Sequence, residues 1–360
     1  MIPLSIPDLS GNEARYLQEC ISSGFVSTAG AFVPRLEKMV AEATGAQDAV
    51  ATASGTSALH VALLALGVRP GDLVILPSFT FIASANAIAH AGATPWLFDI
   101  APESWTLDPN LLAQRLENET RRDGKLVIHK PTGRKVAAVL PVYALGLPAD
   151  MDSIVALARR YGLPVLADAA AALGARYKGR PVGKLGADLS MISFNGNKTV
   201  TSGGGGAVIG DDSGIMRLVR HLSTTARTGE DYTHDLVGYN YRMTNIEAAV
   251  GCAQMERAES LVGAKRRIRA TYDSELSSFP GVGLFPSPAW AEGACWFSGL
   301  TLAPPAPAPE HLRRILRESG IEARPFWKPM HLQAPYLDAP RTEMPVVEAL
   351  WQGVLTLPCS

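Results

Sequence analysis

The chain has 360 residues, of which 47% are hydrophobic and 19% are charged, and its formal net charge is −1. This composition excludes a disordered chain, and the near-zero net charge argues against nucleic acid as a partner. The length predicts one large domain and one smaller domain.

The cysteines and the apolar runs bear on the cellular location. The four cysteines are scattered without CxxC spacing, which argues against a zinc site or a disulfide framework and suits a reducing cytosol. The N-terminal residues contain no basic segment followed by an apolar run, so no signal peptide is expected. The apolar runs are interrupted well before they reach membrane-spanning length. We therefore expect a cytoplasmic protein without a metal site and without membrane or nucleic-acid partners.

The first part of the chain predicts alternating helices and strands. Apolar residues at helical spacing, closed by Gly24 or Gly67, indicate helices, and short apolar runs indicate strands. In chain order we predict helix 12–24, helix 32–44, strand 49–52, a helix in SGTSALHVALLALGV, strand 72–77, helix 81–91 and strand 94–98.

The alternation continues into the second half. In chain order we predict helix 108–117, a charged loop at 118–134, strand 136–143, helix 150–161, strands 164–168, 189–194 and 206–210, and helices 214–226, 244–270 and 309–319. The Pro- and Ala-rich segment 286–308 is typical of linkers and edge loops. Short strands separated by helices are typical of βαβ units, so we predict an α/β fold with a mostly parallel sheet.

Ligands of such sheets bind beyond the carboxyl ends of the strands, where this chain has a candidate phosphate site. The segment Ser54-Gly55-Thr56-Ser57 stands between a predicted strand and a predicted helix. Free backbone N–H groups and the positive helix end attract a phosphate there, and a plain helix N-cap is the alternative. The glycines lack the dinucleotide fingerprint, which disfavours a dinucleotide-binding dehydrogenase.

Two charged residues follow later strands. Asp168, in LPVLADAAAALGA, comes after apolar residues; a buried carboxylate needs a partner such as a protonated pyridine nitrogen, and a helix N-cap is an equal alternative. Lys198, in SFNGNKTVTSGGGG, follows a strand and a turn. Its neutral amine could form a Schiff base, whereas a lone lysine in a loop is usually a solvated cation. Phe81 is an aromatic that could stack on a ring or belong to the core, and Ser193 could add a hydroxyl to the phosphate site.

Phosphate cradle, carboxylate and lysine, in that order on a parallel sheet, predict a pyridoxal 5′-phosphate enzyme of the aspartate-aminotransferase fold. Longer stretches point the same way: GNEARYLQECISSGFVSTAGAFVPRLE, SGTSALHVALLALGVRPGD, LPSFTFIASANAIAHAGATPWLFD, ADAAAALGARYKGRPVG, SFNGNKTVTSGGGGAVIG, GYNYRMTNIEAAVGCAQME and RPFWKPMHLQ. By these stretches, which cover most of its length, the chain resembles the DegT/StrS-type nucleotide-sugar aminotransferases. SFNGNK and RPFWKPMHLQ are most similar to the branch that aminates C4 of UDP-linked 4-keto-6-deoxy-N-acetylhexosamines.

The resemblance implies a fold type I large domain over 1–240, with a mostly parallel sheet, and a smaller C-terminal α+β domain over 241–360. It also implies transamination from an amino acid, glutamate in relatives, to a nucleotide sugar for surface polysaccharide or lipopolysaccharide biosynthesis. A homodimer with shared active sites is a further expectation.

The resemblance also assigns roles to single residues. Lys198 matches the lysine that bears the cofactor as a Schiff base and then moves the proton, and Asp168 matches the partner of the pyridine nitrogen. The remaining matches are phosphate ligands Gly55, Thr56, Ser57 and Ser193; the stacking aromatic Phe81; Asn240 and Arg242, which reach the neighbouring subunit's phosphate site; and Thr28, Asn195, Trp327, Met330 and His331 near the sugar nucleotide.

The chain departs from the family at three places. Ala171 stands where a Gln or Glu often lies near the cofactor's 3′-oxygen, and Tyr143 replaces a site histidine. The chain ends at TLPCS where relatives usually continue with another helix, which leaves a short C-terminal domain or a truncated chain as alternatives.

Other functions stay open at this point. One is a 3-aminotransferase for a dTDP- or GDP-linked keto sugar. Another is a non-catalytic, pyridoxal-phosphate-binding regulatory protein on the same fold. A pyridoxal-phosphate-dependent sugar dehydratase is disfavoured, because such relatives carry a histidine where this chain has Lys198.

Overall fold

The computed structural model describes residues 1–360. The α-helices are α1 Glu13–Ser23, α2 Phe32–Thr44, α3 Gly55–Ala65, α4 Ile82–His90, α5 Pro109–Glu119, α6 Met151–Tyr161, α7 Ser213–Ser223, α8 Asn245–Met255, α9 Ala258–Leu276, α10 Pro309–Glu318 and α11 Pro345–Leu350. None of them is both long enough and apolar enough to cross a membrane.

The strands fall into a large central sheet, a smaller sheet and a short three-stranded sheet. They are β1 Asp48–Thr52, β2 Leu73–Pro77, β3 Thr94–Phe98, β4 Thr120–Asp123, β5 Leu126–His129, β6 Lys135–Val139, β7 Leu166–Asp168, β8 Arg176–Tyr177, β9 Arg180–Pro181, β10 Leu189–Ser193, β11 Gly206–Gly210, β12 Val282–Leu284, β13 Ala291–Glu292, β14 Ser298–Leu302, β15 Arg324–Pro325 and β16 Val354–Leu357.

Seven strands build the central sheet in the order β1-β11-β10-β7-β6-β2-β3. Parallel bridges from Val139 to Val165 and from Val142 to Asp168 join β6 to β7. Among these seven strands all neighbours are parallel except β11, which runs antiparallel to both β1 and β10. The β4–β5 hairpin extends the sheet, since β5 pairs antiparallel with part of β6. The predicted α/β fold with a mostly parallel sheet is therefore confirmed.

Helices cover both faces of the central sheet, so its strands are buried on both sides. On one face, α1, α2, α5, α6 and α8 bury apolar side chains such as Leu36 and Ile154. On the other face, α3, α4 and α7 bury residues such as Leu59 and Val219. Helix α3 is apolar nearly all round because it packs against the sheet, α4 and α7 at once. This packing fixes the N-terminus of α3 at the edge of the sheet.

The small sheet has the order β12-β14-β16-β15 and is antiparallel throughout. Helices α9 and α10 pack against it. Strand β14 lies inside segment 286–308, so the prediction of linkers and edge loops for that whole segment is wrong. Its pairing partners, β12 and β16, are supplied by other parts of the chain, and the local Pro- and Ala-rich composition gave no sign of them.

Two further element predictions need correction. The charged loop predicted at 118–134 contains the β4–β5 hairpin, whose turn uses a positive φ at Gly124. Its charges lie at the exposed edge of the sheet, which is why the strand pattern was hidden. The single helix predicted at 244–270 is two helices, because the backbone leaves helical geometry at Arg257, which pairs with Asp8. Helix α8 packs on α1 and α2. The division into 1–240 and 241–360 stays a prediction.

The first residues of the chain join the small sheet region rather than the helices that follow them. The backbone N–H of Ile2 donates to the carbonyl oxygen of Gly320 at 2.7 Å, and that of Cys359 donates to the carbonyl oxygen of Leu4 at 2.9 Å. The N-terminal segment therefore crosses between the two regions before α1 begins.

Candidate active site

A cavity of about 610 Å³ opens between the central sheet and the small sheet region. Asp168 and Ser193 end β7 and β10, and Thr80 follows β2, so this wall is made of strand ends. The sequence-based expectation of a site beyond the carboxyl ends of the strands agrees with this geometry. Among the residues singled out from the sequence, the cavity brings together Gly55, Thr56, Phe81, Asp168, Ser193, Asn195, Lys198 and Trp327.

The N-terminus of α3 points free donors into this cavity. Ser54 caps the helix, its hydroxyl accepting the backbone N–H of Ser57 at 3.1 Å. The backbone N–H groups of Gly55 and Thr56 lie in the first turn of α3 and have no acceptor within the helix. Ser57 itself lies behind the cap, where its hydroxyl donates to the carbonyl oxygen of Ser54 at 2.9 Å. Both readings of this segment therefore apply, because it is an N-cap that also leaves two donors free for an anion.

A side chain at position 55 would crowd its neighbours. A Cβ atom on Gly55 would lie 3.1 Å from Met191 Sδ and 3.3 Å from Ser193 Cβ. It would also lie 3.4 Å from Ser193 Oγ, which accepts the backbone N–H of Asn195 at 3.3 Å. Glycine keeps the N–H groups of α3 and the Ser193 hydroxyl facing the same small space. That arrangement fits a phosphate group.

Asp168 is a buried carboxylate that forms no ion pair. The Ser84 hydroxyl donates to its Oδ2 at 2.6 Å, and the backbone N–H of Ala170 donates to its Oδ1 at 3.1 Å. Burial raises the pKa of Asp168, while the two hydrogen bonds and the charge of Lys198 act in the opposite direction. A carboxylate in this environment still needs a cationic partner, and a protonated ring nitrogen fits that need.

Lys198 lies across the cavity in the turn after β10. Its backbone N–H donates to the carbonyl oxygen of Asn195 at 2.9 Å, which closes the turn. Its Nζ lies 3.4 Å from the ring centroid of Trp296 and donates to no protein oxygen. Burial lowers the pKa of Lys198 to about 7, against a weaker opposing effect of Asp168. Much of this amine is thus neutral near pH 7, as a nucleophile or a base must be.

We call Ser54 to Thr56, Asp168, Ser193 and Lys198 the polar floor of the cavity. A second group of lining residues, the aromatic wall, consists of Trp296, Phe297, Phe326 and Trp327. Two stacked pairs build this wall: Trp296 on Phe297 with ring centroids 4.1 Å apart, and Phe326 on Trp327 at 4.2 Å. Only Trp327 was predicted from the sequence. The other rings belong to segments whose pattern carries no site signal, apart from the dense aromatic spacing of CWF and PFW.

Five of the sequence-predicted residues lie outside the cavity, besides Ser57. Thr28, Asn240 and Arg242 line a separate surface cavity together with Arg220 and Glu37. Their roles toward a neighbouring subunit stay predictions.

The last two of these five, Met330 and His331, are buried beside Ser78, the residue that directly follows β2. The Met330 N–H donates to the Ser78 carbonyl oxygen at 2.8 Å, and His331 Nδ1 lies 2.7 Å from Ser78 Oγ. These contacts hold the chain just after the aromatic wall. Their roles near a sugar nucleotide also stay predictions.

The two positions that depart from the family pattern also border the cavity. Ala171 contributes no polar group. Tyr143 is buried, its hydroxyl has no hydrogen-bond partner within the chain, and burial raises its pKa. The cavity therefore lacks the acidic or amide side chain and the histidine that many relatives carry there.

Comparisons with known proteins agree with this geometry. The model of the DegT/DnrJ/EryC1/StrS aminotransferase family matches residues 7–360. The chain belongs to this family. EpsN of Bacillus subtilis, whose name describes a pyridoxal phosphate-dependent aminotransferase, is 39% identical over 333 residues, 92% of this chain and 83% of EpsN. GDP-perosamine synthase of Escherichia coli O157:H7 is 37% identical over 355 residues, 98% of this chain and 92% of that protein.

Solved structures of the family share the fold. DesV of S. venezuelae, in complex with a ketimine intermediate, superposes with a TM-score of 0.86 at 30% identity, over 99% of this chain and 94% of DesV. A DegT DnrJ EryC1 StrS aminotransferase from Brucella abortus gives a TM-score of 0.88 at 27% identity, over 97% and 90% of the two chains. The protein is thus a fold type I aminotransferase with pyridoxal 5′-phosphate as its cofactor, as predicted from the sequence.

Proposed function

We propose that this aminotransferase moves the amino group of L-glutamate to the C4 keto carbon of a UDP-linked keto-deoxy sugar, for surface glycan biosynthesis. The observation that carries the proposal is the polar floor, where Lys198, Asp168 and the free N–H groups of α3 face one enclosed space. One cofactor would use all three features: a lysine with a lowered pKa, a buried carboxylate without an ion pair, and an anion cradle. No structural role explains why the three lie together.

Each group of the floor has a definite task. Gly55, Thr56 and Ser193 would hold the phosphate, Asp168 would keep a proton on the ring nitrogen, and Phe81 would stack on the ring. Bound pyridoxal 5′-phosphate supplies an electron sink that makes the C–H bond next to the amino group acidic. Lys198 Nζ would take the proton from the α-carbon of glutamate in the first half-reaction, in which water releases a 2-oxo acid and the amino group stays with the cofactor. Lys198 Nζ would deliver a proton to the sugar carbon in the second, which leaves an amino sugar.

The aromatic wall and Arg324 face the space left for the sugar nucleotide. Arg324 lines the cavity and is the only basic side chain there apart from Lys198. Its Nε and Nη2 donate to Glu322 Oε1 at 2.8 and 2.5 Å, which leaves Nη1 for an anionic reactant. The diphosphate of a nucleotide sugar is such a reactant.

A GDP-linked sugar is the second candidate acceptor. It is favoured by relatives named GDP-perosamine synthase, which are 36% to 37% identical to this chain over 98% or more of its length. The UDP proposal rests on the similarity of SFNGNK and RPFWKPMHLQ to the UDP-sugar branch.

Absorption spectra of the purified holoenzyme distinguish these acceptors. Glutamate should bleach the visible band of the bound cofactor, and a UDP-linked 4-keto-6-deoxy-N-acetylhexosamine should restore it. If a GDP-linked 4-keto-6-deoxy sugar restores the band and the UDP sugar does not, the nucleotide assignment is wrong. If no visible band forms even with added cofactor, the role of Lys198 is wrong.

We also propose that the enzyme works as a homodimer in which Asn240 and Arg242 complete the phosphate site of the partner subunit. Both line a surface cavity that lies apart from the chain's own polar floor. Mixing Lys198→Ala with Arg242→Ala subunits tests this, because a hybrid dimer has one site with both residues intact. About one quarter of wild-type activity is expected after equal mixing and exchange. No recovery from subunits that are shown to exchange would reject the shared site.

A further inference from the structure

Trp296 is the aromatic residue that lies closest to the reacting groups of the polar floor. Its ring centroid is 3.4 Å from Lys198 Nζ. Its indole N–H donates to the carbonyl oxygen of Asn197, the residue before the lysine, at 2.7 Å. One side chain therefore touches both the amino group of Lys198 and the backbone of its turn.

The position of Trp296 is itself fixed by both regions of the molecule. Its backbone N–H donates to the carbonyl oxygen of Leu145, in the loop after β6, at 3.1 Å. Its ring stacks on Phe297 and is 5% exposed. A ring held this firmly offers a fixed surface to a flexible lysine side chain.

We propose that Trp296 is a positioning residue for Lys198, holding the amino group on its indole face and the lysine turn through its indole N–H. The proposal rests on the role given to Lys198 above and adds a residue that controls it. In transamination the lysine amine must leave the cofactor and stay within reach of the same carbon. The indole face is where the amine rests in the chain without cofactor, and we place it there whenever it is free.

Physical arguments favour this role over simple packing. Lys198 Nζ has no hydrogen-bond acceptor within the chain, so the ring is its closest partner. The negative face of an indole attracts an ammonium group most strongly where water is excluded. A Leu at this position would keep an apolar neighbour without this attraction, whereas a Phe would keep a weaker form of it.

Three variants of the full chain, freed of cofactor, separate the two contacts. Trp296→Phe keeps an aromatic face and removes the N–H donor to Asn197. Trp296→Leu removes both. Trp290→Leu is the matched control, because Trp290 packs on Tyr177 away from the lysine. The Lys198 pKa is read from the pH dependence of its acylation rate by mass spectrometry, and the turn is read from hydrogen exchange at the Lys198 amide.

The two readouts should respond differently. The Lys198 pKa in Trp296→Leu should be about half to one unit lower than in Trp296→Phe, since only the Phe ring still favours the ammonium form. The Lys198 amide should exchange faster than wild type in both variants, because both lose the bond to Asn197. Trp290→Leu should match wild type in both measurements.

Equal Lys198 pKa values in the Phe and Leu variants, or wild-type amide exchange in both, would overturn the proposal. Thermal melting checks that each variant folds, and Trp296→Met replaces the leucine variant if that one does not. The outcome is independent of turnover. If holoenzyme lacking the Lys198 side chain still transaminates, the function proposed above fails, whereas an unmoved pKa removes only the role of Trp296.

Discussion

The polar floor and the aromatic wall line one cavity and touch where Trp296 meets Lys198, yet they are built in different ways. Every group of the floor stands at a strand end of the central sheet or at the start of α3, held by short local hydrogen bonds. The wall consists of rings from the small sheet region that mainly hold one another. We propose a division of labour in which the floor holds the cofactor and moves protons, Trp296 positions Lys198, and the outer rings of Phe326 and Trp327 select the acceptor.

Removing the amine of Lys198, the proton-transfer group of the floor, should have the largest effect on activity. Lys198→Ala should lower turnover by about 10⁴-fold or more, because no other amine lies in the polar floor. The loss is measured as kcat with glutamate and the keto sugar. Lys184→Ala, which removes an exposed lysine paired with Asp211, is the control and should keep wild-type kcat. Substantial transamination by the Lys198 variant would place the proton transfer elsewhere.

The charge of Asp168 comes next. Asp168→Asn keeps an oxygen that can accept the hydrogen bond from Ser84. The neutral amide cannot hold a proton on the ring nitrogen, so kcat should fall about 10²-fold. Ser84→Ala retains the carboxylate and should cost only about tenfold. If the two variants lose the same activity, the hydrogen bond rather than the charge of Asp168 is what the reaction uses.

A change in the aromatic wall should act on the acceptor alone. Trp327→Leu removes a ring that lines the cavity and stacks on Phe326, so the KM of the keto sugar nucleotide should rise about tenfold. The kcat and the cofactor affinity should stay close to wild type. Trp351→Leu, at the end of α11, controls for the loss of a tryptophan. A fall in cofactor affinity in Trp327→Leu would show that wall and floor are not separate.

The smallest effect concerns stability and pH. Burial lowers the Lys198 pKa from 10.5 to about 7, so the unfolded chain binds more protons than the folded chain between those two values. Stability of the cofactor-free chain should therefore rise with pH across this window as the penalty of burying the ammonium disappears. Lys198→Met should melt a few degrees above wild type at pH 7, and this gain should shrink as the pH approaches 10.5. A gain that does not change with pH would mean that Lys198 is well solvated.

The polar floor could be predicted from the sequence because each of its residues lies close in the chain to a recognisable strand end or helix start. Strand ends carry the ligands of a parallel sheet, so Asp168 and Lys198 stood out once their strands were recognised. The segment Ser54–Ser57 lies between a strand and a helix, so both a helix cap and an anion site could be predicted there. Helices such as α2 and α6 followed from apolar spacing that matches their buried faces.

The aromatic wall could not be predicted, because contacts between distant segments build it. Trp296 lies in a Pro- and Ala-rich segment, and nothing near it in the chain signals its contact with Lys198. Strand β14 was not predicted for the same reason, because it pairs with β12 and β16 from other parts of the chain. Helices α8 and α9 were predicted as one helix, because apolar periodicity continues through the break at Arg257.

The path of the N-terminal segment limits how the two regions can move. Since Ile2 and Leu4 bond to the small sheet region before the chain enters α1, that region is tethered twice, by this segment and by the connection through α9. Two tethers do not allow free rotation about a single pivot. The two attachments therefore keep the aromatic wall in register with Lys198.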